Sequence, residues 1–249
     1  KIKKEADGRM FPASDSSQTI IDCLMYEARK NGVEIIRNAR VEDFEYIDNQ
    51  EFKWEVKVLG ERTLHAKKLM LGTGSDTAIW RLLEKLDLKI IPAVPSLFTF
   101  NIKDERISDL MGLSVPKAKV KIIGTKFESD GPLLITHWGL SAPAILKLSA
   151  WAARELNDLN YKFKIEVNWL SINNLDEVKL HFHKQISEQA KKNVMLNAEL
   201  GIPIRLWKSL CKAAEIGEFQ KWAETGKKHI QRLAEQLTTC KFEVNGKST

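Results

Sequence analysis

Apolar residues recur at Ile20, Ile21, Leu24, Met25 and Ala28, the spacing that gathers side chains on one face of an α-helix. Asp15, with Gln18 three residues later, resembles a capping box, Ser14 is an alternative N-cap, and Asn31-Gly32 supplies the stop. The β-branched run "VEIIR" (Val33–Arg37) follows and predicts a strand, as in an α/β unit. The pattern then changes period. "VEDFEYI", "FKWEVKVL" and "RTLHAKKLML" are strand-like runs separated by "DNQ" and "GE". In the middle run Phe52, Trp54, Val56 and Val58 alternate with Lys53, Glu55 and Lys57, which predicts an antiparallel meander with one buried face. The third run continues into "KLMLGTGSD", a predicted strand ending in a glycine turn. Thr77–Leu88 follows as a helix with Ile79, Leu82, Leu83 and Leu86 on one side.

Pro92 and Pro95 mark a boundary. Beyond them "SLFTFNI", "KVKIIG", "PLLIT" and "FKIEVNWL" read as strands. Between these runs "LSAPAILKLSAWAARELNDL" reads as one helix, with Ser141 as N-cap, Pro143 in the first turn, and a stripe of Ile145, Leu148, Ala152, Leu156 and Leu159. From about Asn174 the pattern is helical. Leu175, Val178, Phe182 and Ile186 mark one helix, Pro203 opens another that Gly217 stops, and Thr225 is placed to cap a third. The closing "CKFEVNGKST" reads as a strand. The expected class is mixed α/β (α+β). A first domain covers residues 1–91 and a second 92–240, β-rich over 92–170 and helical over 171–240, with 241–249 starting a return strand to the first.

Composition changes this picture little. The chain has 249 residues, 43% hydrophobic and 29% charged, ordinary for a globular protein with a sizeable core. The net charge of +6 invites a nucleic-acid partner, but the lysines come in twos and threes interleaved with Glu, without a stripe of Arg and aromatics. A solvated surface that could attract a small anion is the better reading. Neither a nucleic-acid nor a membrane partner is expected, and oligomeric state is left open. Cys23, Cys211 and Cys240 form no CxxC and read as reduced thiols; with no leader pattern in view, the expected location is cytoplasmic.

Candidate chemistry is sparse. The turn in "LMLGTGSD" suits phosphate capture, although Gly-x-Gly after a strand is also an ordinary tight turn, and the chain has no GxGxxG. In "ITHWGLSAPA" a strand delivers His137 and Trp138 to a Gly139 turn ahead of a helix start. This makes His137 the one candidate for proton transfer, against a purely structural histidine. His181 and His183 lie two apart, which on a helix puts them on different faces; no metal site is expected. Trp54, Trp80, Trp151, Trp207 and Trp222 are expected on buried faces, and Trp138 and Trp169 near loops.

Taken in order, "DGRMFPASDSSQTIIDCL", "GVEIIRNARV", "LMLGTG", "IPAVPSLFTF" and "THWGLSAPAILKLSAW" resemble the bacterial flavoproteins described as NAD(FAD)-utilising dehydrogenases, the BaiN-type FAD-dependent oxidoreductases. The resemblance extends over nearly the whole chain. It implies an FAD domain of the glutathione-reductase type, here partial (1–91), carrying an inserted β-rich and helical domain. It implies FAD-mediated hydride transfer with NAD(P)H or a small organic substrate. By the same resemblance Arg9, Phe11 and Pro12 lie near the flavin, and Val41 offers backbone to the adenine. Gly72, Thr73 and Gly74 form the strand-end turn by the cofactor. His137, Trp138, Gly139 and Ser141 line the insert's side of the substrate cavity. The family's N-terminal GxGxxG segment and its C-terminal glycine-rich segment have no counterpart here, so a central fragment that binds FAD weakly or not at all by itself is expected. Two positions depart from the family pattern: "GTGSDTAIWRLLEKL" replaces a glycine-rich loop, and Ala142 stands where the family has Gly. The alternative reading is a non-catalytic ligand- or partner-binding domain that keeps the fold.

Overall fold

The alternation between Val41 and Ala66 forms a sheet. In a computed structural model describing residues 1–5, 8–47, 51–60, 62–171 and 174–248, the chain divides into two units, Lys1–Ile91 and Pro92–Thr249. In the first, β1 (Ile2–Lys4) and β2 (Met10–Pro12) pair as an antiparallel ribbon, and α1 spans Ser17–Lys30. A three-stranded antiparallel sheet follows, of β3 (Val41–Tyr46), β4 (Trp54–Val58) and β5 (Arg62–Ala66). Helix α2 (Thr77–Glu84) packs on it: Phe44, Val56 and Val58 meet Ile79 and Leu82 in a small core of their own. The "DNQ" separator, Glu61 of the second turn, and Asp7 lie outside the described residues.

Three expectations for this unit are corrected. The α1 N-cap is Ser16, whose side chain accepts from the Gln18 amide, because Asp15 takes up a left-handed φ of 54° and cannot serve. Val33–Arg37 forms no strand, and the run after Ala66 leaves the sheet before the glycine turn. Neither segment finds a strand to pair with among the described residues, and β-propensity without a partner makes no ladder.

The second unit is a closed barrel with helices. Its sheet comprises β6 (Thr99–Asn101), β7 (Ser114–Ile122), β8 (Glu128–Thr136), β9 (Gly139–Ser141), β10 (Phe163–Asn168), β11 (Cys240–Val244) and β12 (Gly246–Ser248). The order is β11-β10-β7-β8-β9-β6-β12, antiparallel throughout. The two outermost strands, β11 and β12, are separated in the chain by Asn245 alone, so the sheet must curl until its edges meet. The Asn245 amide donates to the Asn101 carbonyl at that seam, 2.9 Å. A sheet whose two end strands are one nearly continuous stretch of chain is curled into a barrel. The segment read as a strand returning to the first domain is thus part of the barrel wall.

Helix α3 (Pro143–Trp151) packs on β7 and β8 and runs into α4 (Ala153–Asp158), so the expected single helix is broken at Ala152. Ile145, Leu148, Ala152 and Leu156 are buried as patterned, whereas Leu159 is exposed. Asn174 caps α5 (Leu175–Glu188) in a full capping box with Glu177. Helix α6 (Ile204–Ala213) begins after Pro203, and α7 (Lys227–Thr238) is capped by Gly226 rather than Thr225, whose hydroxyl donates to the Lys221 carbonyl instead. Trp207 and Trp222 are fully buried, as patterned. Trp169 is also buried, beside Phe242, while Trp151 is 58% exposed and Trp54 and Trp80 only half-buried.

Candidate functional site

Of the expected site residues, some line a cleft in the first unit or a recess in the second, and the rest lie elsewhere. In the first, Val41 and Thr73 line a cleft of about 870 Å³ between the sheet and α2. Its floor is apolar, and its walls carry three cations, Arg40, Arg81 and Lys85, and two carboxylates, Glu42 and Asp76. Asp76 sits beside them with its carboxylate committed to the Ala78 amide at 2.8 Å, and Lys85 pairs with Asp43 at 3.5 Å. An apolar floor under walls with one more cation than carboxylate suits a planar ring bearing an anionic group. Gly72 and Gly74 are exposed and do not line this cleft; Gly74 has φ 60°, the conformation its turn requires. Arg9 stacks over the Phe11 ring at 5.6 Å, and Phe11 and Pro12 belong to the β1–β2 ribbon.

In the barrel unit His137 and Trp138 form the two-residue tip of the β8–β9 hairpin, their rings edge to face at 3.8 Å. Gly139 makes this tip possible. Its φ of 148° is unusual for an L-residue, and a Cβ there would lie 2.2 Å from the Phe100 carbonyl oxygen. The Ile102 amide also donates to the Trp138 carbonyl, 2.8 Å, which binds the tip to the segment leaving β6. His137, Thr136 and Gly139 face Lys103, Asp104, Glu105 and Ser108 across a recess of about 370 Å³, floored by buried Ile102 and Ile107. Ser141 is not in it and is not a helix cap: it belongs to β9, and the α3 N-cap is Ala142, with φ 80° and ψ 176° and no side-chain cap bond. His181 and His183 lie on helix α5, and His181 Nε2 contacts Glu199 at 3.1 Å.

The recess has a feature that local sequence reading missed. Arg106, behind the wall, donates from Nε and Nη2 to the two carboxylate oxygens of Asp104 at 2.8 and 2.7 Å. From Nη1 it donates to Gln236 Oε1 at 2.8 Å and Cys240 Sγ at 3.2 Å, and from Nη2 to the Lys241 carbonyl at 2.6 Å. Its guanidinium also lies 4.4 Å over the Phe242 ring. Burial pushes the Asp104 carboxyl up, but hydrogen bonds from the Arg106 side chain and amide outweigh it and hold Asp104 below its ordinary range. Hydrogen bonding to Asp104 raises the guanidinium in turn. The sequence signal was the charged run "KDERISD"; its partners on α7 and β11 lie more than a hundred residues away.

Residues 94–249, well over half of the chain, match the model of the "HI0933-like protein barrel and H2TH domain". The chain belongs to the HI0933-like family. Two curated relatives align with 96% of this chain. The "Ribosomal RNA dihydrouridine synthase" of Haemophilus influenzae is 25% identical and that of Escherichia coli 26%, and the chain covers 59% and 58% of their lengths. The "3-dehydro-bile acid delta(4,6)-reductase" of Clostridium scindens is 23% identical over 74% of this chain and 46% of its own length. The chain thus spans about half the length of the relatives it matches. Among the described residues no helix is long and apolar enough to cross a membrane, and no group of three or more His, Cys, Asp or Glu could hold a metal ion.

Proposed function

We propose that this chain is the central part of a BaiN-type, FAD-dependent oxidoreductase that adds hydride to an unsaturated bond of an organic substrate. The observation carrying this reading is the alignment of nearly the whole chain with relatives whose names describe saturation or reduction: a dihydrouridine synthase and a delta(4,6)-reductase. The first unit supports it independently. No residue of α1 is buried: Ile20, Ile21 and Leu24 stand exposed on it, and Val33 and Ile35 stand exposed on a strand-prone segment that has no partner strand among the described residues. Apolar faces of this kind are built to be covered, and flanking polypeptide of the intact protein would supply the missing strands.

FAD, when bound, supplies the hydride chemistry. The cleft of the first unit fits part of such a nucleotide: Val41 and Thr73 would border its ring, and Arg40, Arg81 and Lys85 would face its phosphates. Arg9, stacked on Phe11, would stabilise negative charge near the flavin. In the barrel unit His137 would hold or move a proton at its ring nitrogen, with Trp138 beside it as an exposed apolar plane. The chain by itself, without a GxGxxG loop, would hold FAD weakly.

Anaerobic mixing of the intact flavoprotein with NADH or NADPH tests the reaction. Bleaching of the flavin band, followed by its return when an unsaturated acceptor is added, is the expected result. His137→Ala should slow the return without slowing the bleaching. A flavin that neither nucleotide reduces would refute the proposal.

A further inference from the structure

We infer that Arg106 is the positioning residue of the His137 recess, an inference that rests on reading that recess as the reactive face of the barrel unit. Arg106 does not line the recess. It acts through the wall that does. An arginine side chain has five N–H donors in a rigid plane, and here five acceptors receive them: two oxygens of Asp104, Gln236 Oε1, Cys240 Sγ and the Lys241 carbonyl. These acceptors belong to three separate pieces of chain: the segment after β6, helix α7 and strand β11. The backbone of the same segment is tied from α6, where Ser209 Oγ donates to the Arg106 carbonyl at 2.7 Å and Arg205 Nη2 to the Asp109 carbonyl at 2.5 Å.

The consequence falls on the recess. The segment bearing Lys103, Asp104, Glu105 and Ser108 leaves a three-residue strand, and Ile102, Ile107, Leu110 and Leu113 anchor it in the core. Without the guanidinium, Asp104 would lose the charge-assisted fork that fixes its carboxylate, and the wall opposite His137 would lose its register with the hairpin tip. A lysine at position 106 would keep the charge but not the plane that spans three elements. Arg106 therefore sets the spacing between the carboxylate wall and His137 while touching neither His137 nor a ligand in the recess.

The test uses the whole chain with Arg106→Gln, Arg106→Lys and Asp104→Asn, read by amide resonances and hydrogen exchange. In Arg106→Gln, exchange over residues 103–109 should rise roughly tenfold or more, the scale of a lost charge-assisted bond. The resonances of Thr136, His137 and Gly139, across the recess, should shift while β7 and β8 keep their protection. Asp104→Asn should reproduce those shifts, and Arg106→Lys should not rescue them. Faster exchange at 103–109 with unmoved His137 and Gly139 resonances would overturn the inference, since Arg106 would then only pin a loop, and so would rescue by lysine. If Arg106→Gln does not fold, Asp104→Asn and Arg106→Lys decide by the same resonances. In the intact flavoprotein Arg106→Gln should lower turnover and leave flavin content unchanged; turnover equal to the parent protein would overturn the inference. A parent protein without turnover would refute the proposed function alone, and the resonance shifts would still decide the role of Arg106.

Discussion

Gly139 and Phe100 approach so closely that their backbones leave no room for a side chain: a Cβ at position 139 would lie 2.2 Å from the Phe100 carbonyl oxygen and 2.7 Å from the Ile102 nitrogen. Neither obstacle is the movable end of a side chain. Gly139→Ala must therefore separate β9 from β6 or break the hairpin tip, and its φ of 148° adds backbone strain. The expected loss is about 4 kcal/mol or more, in the range kept for such steric defects. Urea unfolding of the pair checks it, and a loss under about 1 kcal/mol would contradict the geometry.

Three residues further on, Ala142 occupies φ 80° and ψ 176°, a region that is essentially glycine's own. Strain of about 1–3 kcal/mol is expected there, partly offset in a glycine variant by the greater freedom of its unfolded chain. Ala142→Gly should raise stability by about 1 kcal/mol, visible as a higher melting temperature.

Ser149, buried on α3, accepts from the Phe98 amide at 3.0 Å and donates to the Leu146 carbonyl at 2.9 Å. Ser149→Ala would strand a buried amide just ahead of β6, at a cost of about 1–3 kcal/mol. Ser149→Thr, which keeps the hydroxyl, should recover part of the loss. Equal stability of the alanine variant and the parent would show that the Phe98 amide finds another partner.

Burial pushes the Cys211 thiol up to about 12 and the Cys240 thiol up to about 11, from an ordinary value of 9.0. The sign follows directly. Above the ordinary value the unfolded chain releases these protons and the folded one does not, so stability present below that pH is lost as pH rises toward about 11 to 12. Asp104 acts oppositely: its carboxyl, held low, contributes stability above the ordinary value of 3.8 that is lost as pH falls below it. Melting temperature should fall on both flanks, and Cys211→Ala should flatten the alkaline one. At neutral pH a thiol reagent should modify exposed Cys23 and spare Cys211 and Cys240 until the chain unfolds.

What was legible in the sequence was local and periodic. The faces of α2 and α5, the start of α6 at Pro203, the alternation of β4 and the buried Trp207 all follow from spacing, because each depends on neighbours within two turns or one strand. Val33–Arg37 shows the limit: its β-branched residues read as a strand, yet a strand exists only with a partner. Ser141 failed as a cap for a related reason, since the β8–β9 hairpin claims it for the sheet one residue before the N-cap, Ala142. Of the candidate site, His137 and Gly139 were visible as a turn. The wall opposite them was not, because Arg106 meets Gln236, Cys240 and Lys241 only after the barrel closes at Asn245. Closure itself depends on the full strand order, which no window of sequence contains.

The visible absorption spectrum of the protein expressed from its complete reading frame tests the central claim most directly. A yellow protein that releases one FAD per chain, beside a piece spanning only these residues that retains little, is the predicted result. A folded, colourless full-length protein that takes up no added FAD would contradict it, and would leave the barrel and its helices as a binding domain without flavin chemistry.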